Sequence, residues 1–331
     1  MPKSKRNANR TDKFTPPTDC WRGFCFWKDW IIINRTMERL KSSLDYILHK
    51  LTGTRSLIGV LGLIAILSWV AVFANAESGQ LKVYFFDVGQ GDAIFIELPD
   101  GRQILIDGGP NDKVVEKLNQ VMPFWDRSID IVIATHADAD HITGLVPVLG
   151  HYDVGAIIWN GAEAETKIFR EFHEAMSGEN AEIIVGKCCM RFALSQDIFF
   201  EILYPFNPTG SDPVGLNSQN DFSIVIRFVY GDDSFLFTGD IERQAEYKII
   251  EQNLNINSGV LKVAHHGSKT SSSELLLEKV SPKTAVISTG RNNSYGHPHE
   301  AILQRLVKYD IEISRTDMEG DILILSNGNS F

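Results

Sequence analysis

The chain has 331 residues, of which 44% are apolar, 22% charged and 10% aromatic. This mix excludes a wholly disordered, collagen-like or coiled-coil chain, and the length suits about two average domains. The net charge of −10 conceals a split: residues 1–55 carry 12 Lys/Arg against 5 Asp/Glu, residues 56–76 carry no charge, and residues 77–331 carry 20 basic against 37 acidic side chains.

Three parts follow from that split: a basic head over 1–55, an uncharged segment over 56–76 and an acidic body over 77–331. The body is long enough to bury a sizeable core as one large domain. Cys20, Cys25, Cys188 and Cys189 are too few for a disulfide scaffold, and the adjacent pair suits a bridge poorly, so unpaired thiols are expected.

In the head, the polar residues 1–20 are expected to be disordered. Met37, Leu40, Leu44, Ile47, Leu48 and Leu51 then recur at helical spacing with Arg39, Lys41 and Lys50 among them, the pattern of a basic interfacial helix. The block Ser56–Ala76 is apolar on every face and spans about 31 Å as a helix, close to a bilayer core. Lys41, Lys50 and Arg55 precede it and Glu77 follows, so the positive-inside rule puts the N-terminus in the cytoplasm and the body outside. Ala74-Asn75-Ala76 has the small-x-small form of a signal-peptidase site, which makes secretion after cleavage near Ala76 the alternative. The long charged region before the block favours an uncleaved anchor, and either reading exports the body.

In the body, strands are predicted over 81–88, 93–98, 103–106, 130–135, 155–159, 182–185, 198–203, 223–229, 234–238, 260–264, 285–288 and 321–326. Helices are predicted over 113–121, 163–176, 241–252, 272–280 and 298–308. Two sheets covered by helices account for this order, an α/β arrangement.

Polar clusters sit where predicted strands end. His136-Ala137-Asp138-Ala139-Asp140-His141 follows the apolar run Ile131–Ala134, and its imidazoles and carboxylates suit zinc, manganese or iron. Thr238-Gly239-Asp240 ends another strand, and one carboxylate there can bridge two cations. In His265-His266-Gly267-Ser268-Lys269, one histidine can be a ligand and the other a proton donor or substrate contact. Asn293-Ser294-Tyr295-Gly296-His297-Pro298-His299 is a polar glycine–proline turn suited to an anion, or merely solvated.

As a set, in this order, with Phe86–Ala93 and Leu105–Gly109 ahead of them, these motifs resemble the metallo-β-lactamase superfamily. More narrowly, the chain resembles the C-terminal hydrolase domain of ComEC/Rec2-type DNA-uptake proteins over about residues 81–326. The resemblance implies an αββα sandwich, preceded here by a single transmembrane helix, with two divalent metal ions at one edge. Carried over by position, His136 and Asp138 would hold one metal, Asp140, His141 and His265 the other, and Asp240 would bridge them. The superfamily's usual histidine is replaced by Asp138, which hardens the first site towards oxygen-seeking metals such as Mn²⁺, so the two ions are expected to be Zn²⁺ or Mn²⁺. A separate histidine ligand expected before Asp240 is missing, and water or Asn220 is the available substitute.

The activity implied is metal-dependent hydrolysis by a metal-bridged hydroxide, with phosphodiesters favoured and Asp140 orienting the nucleophile. His266 or His297 would protonate the leaving oxygen, and Asn220, Ser268, Lys269, Asn293 and Tyr295 would contact substrate. DNA is the first polymer to consider, although the acidic body opposes tight non-specific binding. Lys262, Lys269, Arg291, Arg305 and Arg315 are expected to form a local positive rim. An envelope-polymer phosphodiesterase, a lactone or thioester hydrolase and a non-catalytic metal-dependent binding module are the alternatives. The parent uptake proteins carry a multi-span channel region that a single span does not match, so a transport role is not implied.

Overall fold

The computed structural model describes residues 54–76, 79–207 and 219–329, together with residues 38, 40–43, 45 and 46. The chain divides into one unit ending at Phe73 and another running from Ala74 to Phe331.

A helix forms over Thr54–Ala76. It is uncharged from Ser56 onward, and Leu57, Ile58, Leu61, Ile64, Leu67 and Trp69 are exposed around it. The expected membrane span falls on this helix. Its side chains are described only over 56–70, about 22 Å of helix. Among the described residues no helix is long and apolar enough to cross a membrane. The helix is therefore found and the span is not. The described residues between 38 and 46 are helical and exposed, in the stretch expected to be interfacial. The disorder expected over 1–20 and the thiols of Cys20 and Cys25 lie outside the described residues.

The second unit contains the strands β1 (Leu81–Phe85), β2 (Ile94–Glu97), β3 (Gln103–Ile106), β4 (Ser128–Ala134), β5 (Asp153–Trp159), β6 (Glu182–Val185) and β7 (Arg191–Ala193). They are followed by β8 (Ile198–Tyr204), β9 (Val225–Tyr230), β10 (Asp233–Phe237), β11 (Val260–Lys262), β12 (Thr284–Ile287), β13 (Glu312–Arg315) and β14 (Ile322–Ser326). One sheet has the order β14-β1-β2-β3-β4-β5-β6 and the other β13-β12-β11-β10-β9-β8-β7. In the first, pairing is antiparallel from β14 to β3 and parallel from β3 to β6. The second repeats this scheme, antiparallel from β7 to β10 and parallel from β10 to β13.

Parallel neighbours need a crossover, and helices supply it. Lys113–Val121, Leu145–Leu149 and Lys167–Gly178 serve the first sheet; Arg243–Glu251, Glu274–Val280 and Glu300–Lys308 serve the second. Strands covered by helices on one face and by the other sheet on the opposite face are buried on both. β3, β10 and β11 accordingly have no exposed residue.

Three apolar layers result. Between the sheets lie Phe85, Ile104, Ile133, Phe228 and Phe237, with the Phe85 and Phe237 rings 6.1 Å apart across the gap. Val132, Leu145 and Phe172 pack under the helices of one sheet, and Leu261, Leu277 and Leu306 under those of the other. The expected αββα sandwich is what forms. Its parallel strands end in loops on a common edge, the position where open α/β sheets place ligands.

Among the described residues the periodicity misses two strands, three short α-helices and two 3₁₀ turns, Asn220–Phe222 and Ala264–Gly267. β7 and β13 are edge strands with little buried surface, so apolar alternation is weak there. Ala139–Ile142, Leu145–Leu149 and Thr316–Glu319 are too short to show a helical period. Four predicted helix starts fall too early, and in three of them capping sets the boundary: the Thr166 hydroxyl accepts from Phe169 N at 3.2 Å, the Ser273 hydroxyl from Leu276 N at 3.2 Å and His299 Nδ1 from Ala301 N at 3.2 Å.

Phe228 is 1% exposed between the sheets, whereas Phe124 is 80% exposed. In a urea titration Phe228→Ala is expected to lower stability by about 3–5 kcal/mol and Phe124→Ala by less than about 0.5 kcal/mol. Equal effects would contradict the layering.

Candidate metal centre

The loops that close β3, β4, β10 and β11 meet at this edge, and close backbone contacts lock them together. Gly91 has φ +142°, and a Cβ there would lie 2.1 Å from the Asp140 carbonyl oxygen. The Gly91–Asp92 turn can therefore press against the 136–141 loop only as glycine. Asp92 N completes the contact by donating to Asp140 O at 3.3 Å. Asp107 follows β3 and accepts from Thr135 N at 2.8 Å and from Thr135 Oγ1 at 2.7 Å. Its Oδ2 also lies 2.8 Å from His141 Nδ1, which turns His141 Nε2 toward the pocket. Ser223 accepts from Asp240 N at 3.1 Å.

Both His265 and His266 have left-handed backbone, at φ 50° and 52°. Two consecutive non-glycine residues in that region are costly and are held by surrounding structure. The result is that the two rings differ in environment. His266 is 1% exposed, and its Nε2 lies 3.3 Å from Asp240 Oδ2 and 3.3 Å from Asp140 Oδ2. His265 is partly exposed, with Nδ1 3.4 Å from Glu242 Oε1 and Nε2 3.2 Å from Asn220 Nδ2.

Among the described residues, two groups have the spacing to hold an ion: Asp140, His141, Asp240 and His266, and a second of Asp92, Asp107 and His141. In the first, His141 Nε2 is 3.4 Å from Asp240 Oδ2. His141 Nε2 and His266 Nε2 are buried without hydrogen-bond partners, each facing Asp240 Oδ2. Buried imidazole nitrogens left in this state beside a carboxylate oxygen fit a divalent cation of the zinc or manganese type.

Electrostatics favour the same reading. Burial opposes charge on His141, but Asp240 and Asp107 outweigh it and hold its pKa well above the ordinary value. Burial likewise opposes charge on His266, but Asp240 and Asp92 raise its pKa to about 9. Burial acts against ionised Asp240 too, and His266 and His141 overcome it, so the carboxyl stays ionised well below its usual range. His136 is held neutral by burial and by the neighbouring His141.

Several expected site residues fall elsewhere. The geometry exchanges the expected places of the adjacent histidines: His266 lies in the four-residue group and His265 beside it. His136 and Asp138 face each other at 3.7 Å but lie in neither group. Burial, with His265 and His266 adding repulsion, lowers the His297 pKa to about 4, so its ring is neutral near pH 7 and carries no imidazolium proton to donate. Ser268 is buried and its hydroxyl pairs with that of Thr270 at 2.9 Å. The Asn293 amide is taken up by its own loop, donating to His297 O at 2.6 Å and accepting from His297 N at 3.0 Å. Lys269 and Tyr295 are exposed, and the Tyr295 ring is stacked 5.8 Å from His297.

The expected positive rim is also reduced. Lys262 is 1% exposed and belongs to the pocket, because it ends a strand buried on both faces. Arg315 pairs with Asp317 at 2.7 Å, and Arg291 donates to Asp317 O at 3.1 Å. Asp92, Asp107, Ser223 and Glu242 went unassigned in the sequence; for Asp92 and Asp107 the signal was present, since each follows a glycine-rich turn or an apolar strand.

An ion entering this site must displace the proton on His266. A raised pKa means the proton is held below about pH 9, so divalent-ion affinity is expected to fall as pH drops, about tenfold per unit for each proton displaced. Calorimetry at about pH 8 and about pH 6 checks this, and pH-independent affinity would contradict it.

The family model described as the metallo-beta-lactamase superfamily matches residues 86–291. "ComE operon protein 3" of Bacillus subtilis (strain 168) is 34% identical over 264 residues, covering 74% of this chain and 33% of that protein. "Recombination protein 2" of Haemophilus influenzae is 30% identical over 267 residues, covering 80% of this chain and 31% of that protein. The chain thus spans about a third of the length of these relatives. Among solved structures, Igni18, a metallo hydrolase of Ignicoccus hospitalis, matches with TM-score 0.50 at 14% identity, over 74% of this chain and 98% of that one, a likeness of fold alone. The chain belongs to the metallo-β-lactamase superfamily and resembles the ComEC/Rec2-type competence proteins within it.

Proposed function

We propose that this protein is a metal-dependent phosphodiesterase that cleaves nucleic acid, with Asp140, His141, Asp240 and His266 as the metal ligands. The observation that carries the metal assignment is the convergence of these four ligand atoms within 4.8 Å of one another, three of the four residues being buried. A divalent ion bound there supplies an activated water and a positive charge against the oxyanion that develops on phosphorus. The His136–Asp138 pair is the candidate holder of a second ion.

The chain's own side chains divide the remaining work. Asp107 fixes the His141 ring through Nδ1 and the Ser288 carbonyl lies 2.9 Å from His266 Nδ1, so both ligand rings are oriented from behind. His265 is the group with access to solvent and a carboxylate partner, Glu242, and it takes the proton-delivery role toward the leaving oxygen. His297 is 5.6 Å from His265 between ring centroids, and Tyr295 stacks on it with 71% exposure. That pair offers an aromatic surface to a base next to the scissile phosphate. Lys269, exposed and three residues after His266 in the chain, adds a cation.

DNA is favoured as the polymer by the relatives' names, which refer to the ComE operon and to recombination. The acidic body makes single strands held by stacking a better match than duplexes held by charge. The helix Thr54–Ala76, uncharged from Ser56 onward and with Lys41, Lys50 and Arg55 before that point, supports anchoring to the cell membrane with the hydrolase unit exported, or secretion after cleavage near Ala76.

Hydrolysis of bis(p-nitrophenyl) phosphate and of a single-stranded oligonucleotide, with Zn²⁺ or Mn²⁺ supplied, tests the reading. His266→Gln is expected to lose bound metal and turnover together. His265→Gln is expected to keep its metal while kcat falls about 10²-fold. Metal loss in His265→Gln with retention in His266→Gln would reverse the assignment, and no cleavage of any phosphodiester by the loaded protein would remove it. Tyr295→Ala is expected to weaken oligonucleotide binding by about 1–3 kcal/mol, measured by fluorescence anisotropy, and unchanged binding would take Tyr295 out of the site.

A further inference from the structure

The two groups with ligand spacing share His141, but they differ in one respect: the group of Asp92, Asp107 and His141 already has a cation against it. Lys262 ends β11 with its side chain wholly buried. Its ammonium forms an ion pair with Asp92 Oδ2, lies 3.7 Å from Asp240 Oδ1 and donates to Gly239 O at 3.4 Å. Two of its three N–H donors thus have close acceptors in Asp92 and Gly239, and Asp240 adds a second carboxylate within ion-pair range.

We propose that the Lys262 ammonium is a permanent cation of the centre, standing between Asp92 and Asp240 where a divalent ion would otherwise bind. The Asp92–Asp107–His141 group then takes no metal, and Asp240 ligates through Oδ2 alone. The inference rests on the metal-binding part of the proposed function and is independent of the substrate.

Three features carry it. First, Asp92 is 1% exposed, and a buried carboxylate needs a counter-charge. The nitrogens near it are Lys262 Nζ, His266 Nδ1 at 3.5 Å and His141 Nδ1 at 3.9 Å. His266 Nδ1 is engaged by Ser288 O at 2.9 Å and His141 Nδ1 by Asp107 Oδ2 at 2.8 Å, which leaves Lys262 as the cation directed at Asp92. Second, the Asp240 oxygens are divided: Oδ2 faces His141 and His266, and Oδ1 faces Lys262. A carboxylate held on one oxygen by an ammonium presents the other to a metal. Third, the ammonium is tethered to a central strand of the second sheet, so it cannot exchange with solvent ions as a bound metal does.

A built-in cation also leaves the buried carboxylates partly compensated when the exchangeable ion departs. Replacing the lysine should convert its position into a metal position, because Asp92 and Asp240 Oδ1 lose their ammonium and Asp107 has ligand spacing to Asp92.

Metal content of the full chain after equilibrium dialysis against Mn²⁺, read by inductively coupled plasma mass spectrometry, tests this. Lys262→Met is expected to bind one more equivalent of Mn²⁺ than the unaltered protein, and Asp92→Asn/Lys262→Met is expected to return to the original content. Thermal melts give a second readout: Mn²⁺ should raise the Tm of Lys262→Met more than that of the unaltered protein. Unchanged Mn²⁺ content in Lys262→Met overturns the proposal, and so does a Lys262→Met protein that fails to fold even in excess Mn²⁺, since an ion would then not replace the ammonium. An unaltered protein that binds no Mn²⁺ or Zn²⁺ refutes the metal centre itself, which is a separate result.

Discussion

Charge compensation without water is the constraint on which the rest of the molecule depends. Asp92, Asp107 and Asp240 are each 2% exposed or less, at the edge of an apolar sandwich. Ionised groups taken out of water need opposite charge at close range. His141, His266 and Lys262 provide it from within the chain, and each of these is also almost wholly buried. A cation-seeking pocket is therefore built into the fold, and the ligand atoms lie where a divalent ion satisfies more of them at once than any imidazolium can.

The sandwich makes this arrangement possible. Each sheet has a parallel half, and parallel strands direct their C-terminal loops to the same edge. β3, β4, β10 and β11 deliver Asp107, the 136–141 loop, Asp240 and the histidine pair to one place. The apolar layers fix the strands, and the close approach of Gly91 to Asp140 fixes the loops relative to each other. Precision at the pocket is thus inherited from packing several residues away.

Much of this was legible in the residues. Strong strands such as Gln103–Ile106 and Glu182–Val185 matched their predicted bounds, because a continuous apolar run between polar turns has few other interpretations. The motif-bearing loops were recognisable from ligand-type residues directly after apolar strands. What spacing could not reveal was orientation. His265 and His266 are adjacent and chemically identical, and only the left-handed backbone at both decides which ring turns inward. Lys262 looked like a surface charge because lysine usually is one, and its burial follows from β11 being covered on both faces. The membrane span expected over 56–76 rests on composition, and the described side chains of the helix are too few to extend it across a bilayer.

Anomalous diffraction from crystals of the protein grown with Zn²⁺ tests the central claim most directly. An anomalous peak is expected within about 2.0–2.2 Å of His141 Nε2, His266 Nε2 and oxygens of Asp140 and Asp240. A peak bound to His265 with His266 turned away, or none between these four residues, would contradict it.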